Sequence, residues 1–153
     1  MDIASKLTQM GWALPEAPRP VGAYVPAVIT GNLLFISGQL PTWGGKLIAE
    51  GKVPTEVNLE TAQKAAAQCA VNALAIVGAE LNGNWDRLVR VVRIGVFVQC
   101  EAAFHDQAKV ANGASELLQK VMGDAGRHAR ATVGVGALPL DAAVEVEFLF
   151  EIK

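Results

Sequence analysis

Charge is scarce in this chain. Asp, Glu, Lys and Arg supply 18% of its 153 residues, where about a quarter is usual for a soluble domain. The charges nearly cancel, to a formal net charge of −2, and no basic stripe runs along any segment, so a nucleic-acid footprint is not expected. There are two histidines, His105 and His128, too separated to suggest a zinc site. The two cysteines, Cys69 and Cys100, fit no metal-ligand spacing and read as buried thiols. No apolar run approaches the roughly 18 residues of a membrane span. The first residues, MDIASKLTQMGWALPEAP, mix charge with apolar positions and lack the uninterrupted core of a signal peptide, so the expected location is a reducing cytoplasm. Neither a glycine-rich phosphate loop nor a G-x-S-x-G elbow occurs.

What is there is apolar mass. Hydrophobic residues make up 52% of the chain, and 16.1 kDa is enough for one domain with a real core. With so little charge to cover the surface, part of the apolar area is expected to close an oligomer interface. Asp2 to Gly11 predicts a short amphipathic helix with Asp2 as N-cap and Gly11 as stop. Pro15, Pro18 and Pro20 then hold an extended arm, expected to be peripheral. Residues 1–20 thus read as an appendage and residues 21–153 as one domain. Val21–Thr30 and Asn32–Ser37 predict a hairpin turning at Gly31-Asn32, with positive φ at both. Lys46–Val53 predicts a third strand. Asn58 caps a long alanine-rich helix through Leu81. Leu88–Cys100 predicts a strand whose core side is Val92, Ile94, Val96 and Val98, and Ala102–Met122 a second helix.

The last stretch, Ala129 to Lys153, alternates with period two on both sides of Leu138-Pro139-Leu140, which predicts a terminal hairpin. Its two apolar rows, Ala131/Val133/Val135 and Val144/Val146/Phe148, can be buried together in only one register parity. That register sets Thr132 across from Glu145 and Arg130 across from Glu147, on a face with Gly134 and Gly136 leaving space beside the arginine. Arg130 then either pairs with Glu147 or Glu145 as a structural ion pair, or binds a small anion. The order β-β-β-α-β-α-β-β gives a two-layer α+β domain, a mixed sheet covered on one face by two helices. The other face carries polar and small residues together with Phe97, and copies of the chain around a closed axis would cover it.

The stretch A-R-x-T-V-x-V-x-x-L-P followed by V-E-V-E resembles the signature of the reactive-intermediate (imine) deaminases, the YjgF-type or Rid family, also described as endoribonuclease L-PSP-like. Gly22-Ala23-Tyr24 and Ser37-Gly38-Gln39-Leu40-Pro41 match two further landmarks in family order, so the resemblance spans about Val21 to Lys153. It implies a chorismate-mutase-like fold, a homotrimer with clefts between subunits, and hydrolysis of reactive 2-imino or 2-enamino acids, by-products of amino-acid metabolism, to 2-keto acids and ammonia. It also implies that no metal or organic cofactor is needed.

Carried over by position, Arg130 matches the anchor of the substrate carboxylate and Glu145 the residue that places the attacking water. Tyr24, Ser37, Gly38 and Thr132 match positions around the substrate, and Asn112 is the candidate for an asparagine contributed by the second helix. Departures are Ala23 before the tyrosine, the loop TWGGKLIAEGKV after Pro41, Gly134 where many members have glutamate, and a longer segment from Asn112 to His128. A second reading is a trimer that binds or senses a small carboxylate such as a 2-keto acid without turnover. Ribonuclease activity sits poorly with the acidic balance, and a chorismate-mutase-type isomerase would rest on fold alone.

Overall fold

Alanine sets the spacing between the layers. In the computed structural model, which describes residues 2–153, the helix α2 (Leu59–Glu80) buries Ala62, Ala65, Ala66, Ala70 and Ala73 together with Cys69, Leu74 and Val77. With methyl groups where leucines would stand, the helix axis lies close to its neighbours. Asn58 caps it, its side chain accepting from the Thr61 N–H at 2.8 Å. The second long helix, α3 (Gln107–Met122), comes so near that a side chain on Gly113 would collide with the backbone carbonyl of Gln63. The expected start at Ala102 is too early, because residues 101–106 form turns before Asp106 enters the helix. A short helix, α1 (Ile3–Gln9), is capped by Asp2 and buries Ile3 and Leu7 completely, while Gly11 follows at φ +80°. The amino-terminal segment is therefore part of the same core.

The two long helices cover one face of a five-stranded sheet ordered β1-β2-β7-β5-β6. Its strands are β1 (Ala27–Thr30), β2 (Leu33–Gln39), β5 (Leu88–Gln99), β6 (Ala129–Val135) and β7 (Val144–Ile152). The class is mixed α+β, as the element order requires. The first strand starts at Ala27 rather than Val21, and of the two residues in the β1–β2 turn only Gly31 takes positive φ, at +58°. The third strand is not realised. Thr42–Trp43 (β3) and Lys46–Leu47 (β4) form a separate two-stranded ribbon around Gly44-Gly45, and Glu50 and Val53 reach the main structure only through single bridges. In β5 the register shifts twice before Ile94, so Val91, not Val92, is fully buried.

The terminal hairpin is not formed either. β6 pairs in parallel with β5, and β7 pairs antiparallel with β5 on its other side and with β2 beyond. The chain from β6 to β7 crosses over the end of β5, and Gln99 secures the crossing: its side chain accepts from the Leu138 N–H at 2.7 Å and donates to Asp141 Oδ1 at 2.8 Å. Leu140 and Asp141 take positive φ there, at 58° and 61°. No helix among the described residues is long and apolar enough to cross a membrane.

Candidate functional site

Registration through β5 places the candidate side chains of β6 and β7 on one face or the other. Arg130 stands across from Ile94 and Thr132 across from Val96, both core residues, so Arg130 and Thr132 point to the helix side at the sheet edge. Glu145 stands across from Phe97, and Phe97 across from Val133, on the uncovered face. The face shared by Arg130, Glu145 and Glu147 is therefore corrected: within one chain the arginine and the glutamates lie on opposite sides, with β5 between their strands. Parity was right within each strand, but alternation does not say which row faces the core.

The first cluster gathers around Arg130. Its guanidinium donates to Asn112 Oδ1 at 2.9 Å, Ser115 Oγ at 3.1 Å and the Ala108 carbonyl at 3.5 Å. All three acceptors are neutral and belong to one face of α3, where positions three and four apart are neighbours. The structural ion pair with Glu147 does not exist, since Glu147 binds Arg93 at 3.1 Å. Asn112, the second-helix candidate, is thus brought within hydrogen-bond distance of Arg130. Ser115, which the sequence reading missed, extends the network: its Oγ is 2.9 Å from His128 Nε2, while His128 Nδ1 donates to the Gly126 carbonyl at 2.7 Å. The imidazole then accepts at Nε2 in its neutral form. Burial, with Arg130 nearby, holds its pKa below the usual histidine value. Thr132 Oγ1 is buried without a hydrogen-bond partner, which marks a place where a donor or acceptor belongs.

The second cluster surrounds Glu145. The register of β2 against β7 slips between Ile36 and Gln39, a bulge centred on Ser37-Gly38. Gly38 lies directly against the Glu145 carboxylate, so that any Cβ there would strike Oε1. Glycine is required by close approach here rather than by positive φ. Ser37 does not present its hydroxyl to the open side, because its Oγ donates to the Val25 carbonyl at 2.7 Å and so holds the irregular segment that carries Tyr24 ahead of β1. Burial first and Glu147 second push the Glu145 carboxyl up from the ordinary glutamate range.

Tyr24 and Gly38 line a cavity of about 70 Å³ with Leu140, Pro18 and Arg19. The proline arm, expected to be peripheral, is one of its walls. Asn72, fully buried on α2, fixes the opposite wall by donating to the Leu40 and Thr42 carbonyls at 3.1 and 3.0 Å.

The departure at Gly134 also has a structural reason. A Cβ there would lie 2.8 Å from both Cys100 Sγ and Gln107 Nε2, so the side chain of Gln107 occupies the space a glutamate would need. Cys69 and Cys100 are free and buried, and the described residues hold no cluster of three or more His, Cys, Asp or Glu suited to a metal ion.

The sequence profile of the family described as Endoribonuclease L-PSP matches residues 14–152. Protein TCP17 of Trypanosoma cruzi is 41% identical over 152 residues, covering 99% of this chain and 94% of its own length. A 2-iminobutanoate/2-iminopropanoate deaminase of Dermatophagoides farinae is 31% identical over 139 residues, covering 91% and 93%. A crystal structure of a protein of unknown function from Agrobacterium tumefaciens superposes with a TM-score of 0.94 at 45% identity, over 99% of this chain and 92% of that one. The chain belongs to the Endoribonuclease L-PSP family, the YjgF-type or Rid family that its terminal motif resembles.

Proposed function

We propose that the protein hydrolyses 2-imino or 2-enamino acids to 2-keto acids and ammonia, in a site completed between copies of the chain. The observation that carries this reading is the state of Arg130. It is a guanidinium oriented by three neutral acceptors, with no carboxylate among the described residues within ion-pair distance. Such a group keeps its fork free for a substrate carboxylate.

The reaction follows from the two clusters. Arg130 binds the carboxylate of the imino acid, and Asn112 holds the guanidinium in place. Thr132 lies two residues along the same strand, and its backbone groups meet the substrate. Glu145, contributed by a neighbouring copy, accepts a proton from the water that adds to the C=N carbon. The resulting amino alcohol then expels ammonia, leaving the keto acid. A carboxyl whose pKa is raised is a better proton acceptor than an ordinary glutamate and can return the proton to the departing nitrogen. Residues of this chain alone supply these roles, in a cytoplasmic protein assembled as a homotrimer.

The split of the site over the two faces supports the assembly. Val28, Phe35 and Val133 stand on the uncovered face at 52, 44 and 49% exposure, an apolar surface that another copy would bury.

The test is diversion of imine from a semicarbazide trap, with the imines generated by an amino-acid oxidase. Wild type should compete with the trap while Arg130→Ala does not. If wild type leaves trapping unchanged but binds 2-keto acids through Arg130, the protein is a carboxylate sensor rather than a hydrolase.

A further inference from the structure

The cavity beside Tyr24 and Gly38 contains a charge that the deamination chemistry does not use. Arg19 is the one charged residue lining it; the others include Pro18, Pro20, Tyr24 and Leu140. No carboxylate lies within ion-pair distance of Arg19 among the described residues, and its guanidinium makes no hydrogen bond there. Burial and Glu147 raise the Glu145 pKa without a compensating cation, so Arg19 is not spent on Glu145.

The guanidinium is also not on a loose tail. Pro18 and Pro20 flank it and hold the backbone extended. Ala17 and Leu14, just before, pack against the hydrophobic core. The cavity, at about 70 Å³, has room for several water-sized groups, which suits a short substrate arm. An exposed, unpaired cation carried on a proline-restricted backbone at the wall of an otherwise uncharged pocket favours an anion at the end of that arm.

We propose that Arg19 is a specificity-determining residue that binds an acidic group on the substrate side chain, so that the preferred substrates are imines of amino dicarboxylic acids. This rests on the deaminase reading for the reaction. Arg130 of one copy takes the carboxylate next to the imine carbon, and Arg19 of the neighbouring copy, on the same side of the shared site as Glu145, takes the distal one. Tyr24 and Leu140 enclose the carbons between.

The experiment compares imines generated from aspartate and glutamate with those from alanine and leucine, using wild type, Arg19→Ala, Arg19→Lys and Arg19→Glu. Wild type should favour the acidic imines in kcat/KM. Arg19→Ala should lower kcat/KM for these by about ten- to a hundredfold, the scale of one charge-assisted contact, and leave the neutral imines within about twofold. Arg19→Lys should recover part of the preference and Arg19→Glu should invert it. Equal losses on both classes, or no loss on either, would overturn the assignment.

If wild type consumes no imine at all, the deaminase reading fails, and titration calorimetry with oxaloacetate against pyruvate decides the role of Arg19. Tighter oxaloacetate binding that Arg19→Ala abolishes supports an acidic subsite. Indifference to either the second carboxylate or the mutation rejects it.

Discussion

Arg130 and Glu145 are side chains of opposite sign, each kept from an ion-pair partner of its own chain. Arg130 is satisfied by amide, hydroxyl and carbonyl oxygens, so its charge remains available. Replacing it with alanine should cost at least a hundredfold in kcat/KM for imine hydrolysis. The melting temperature should barely move, because an exposed arginine contributes little to the fold. Lysine should rescue only part of the activity, since it keeps the charge but loses the planar fork.

For Glu145 the sign of the linkage matters. Its pKa is raised in the folded chain, so its contribution to stability is fully present below the ordinary glutamate pKa and is lost as pH rises through the folded value. At neutral pH the ionised carboxylate is therefore mildly unfavourable. Glu145→Gln should abolish turnover yet leave the protein as stable or slightly more stable, by less than about 1 kcal/mol for a half-exposed group. Thermal melts at a series of pH values should show that difference closing in acid. His128 behaves in the opposite sense: its pKa is lowered, so its contribution is present above the ordinary histidine value and is lost as pH falls through the folded one.

At the scale of elements, two glycines illustrate different kinds of close approach. A methyl group on Gly113 would meet the backbone of α2, which cannot move without separating the helices. Gly113→Ala should therefore destabilise by about 1–3 kcal/mol, visible as a drop of several degrees in the melting temperature. A methyl on Gly38 would meet only the end of the Glu145 side chain, which can swing away. Gly38→Ala should spare stability and impair catalysis, so the two variants separate packing from function.

The elements also show what could be read from the sequence. The caps Asp2 and Asn58, the helix α2 and the alternation in β6 and β7 were legible because they depend on neighbours in sequence. The company Arg130 keeps was not legible: the residues expected on its face, Glu145 and Glu147, lie on the other side of the sheet, and Ser115 was missed. The insertion of β5 between β6 and β7 was not legible. Two alternating segments joined by a short turn fit a hairpin equally well, and nothing local indicates that a strand some thirty residues earlier takes the place between them. The shift from Val92 to Val91 depends on bulges set by β7, which no window along β5 reveals. Arg19 was missed for a similar reason: its partners in the cavity come from the bulge in β2 and the crossing loop.

The whole molecule presents its two clusters on opposite sides of one sheet, and this makes the assembly testable without a structure of it. If each site takes Arg130 from one copy and Glu145 from another, a preparation of Arg130→Ala alone or Glu145→Gln alone has no intact site. Co-unfolding the two variants in equal amounts and refolding them together produces mixed assemblies. In these, a cleft is intact when its Arg130 half comes from the Glu145→Gln chain and its Glu145 half from the Arg130→Ala chain. With random mixing each condition is met half the time, so activity should recover to about a quarter of wild type. A site formed within one chain would recover none, because every chain carries one lesion. The uncovered face supplies the companion test. Val133→Glu places a charge in the middle of the apolar row, so light scattering should show a monomer with intact circular dichroism. That monomer should be inactive although it retains Arg130, Asn112, Thr132 and Glu145, because its two half-sites no longer have a neighbour to complete them.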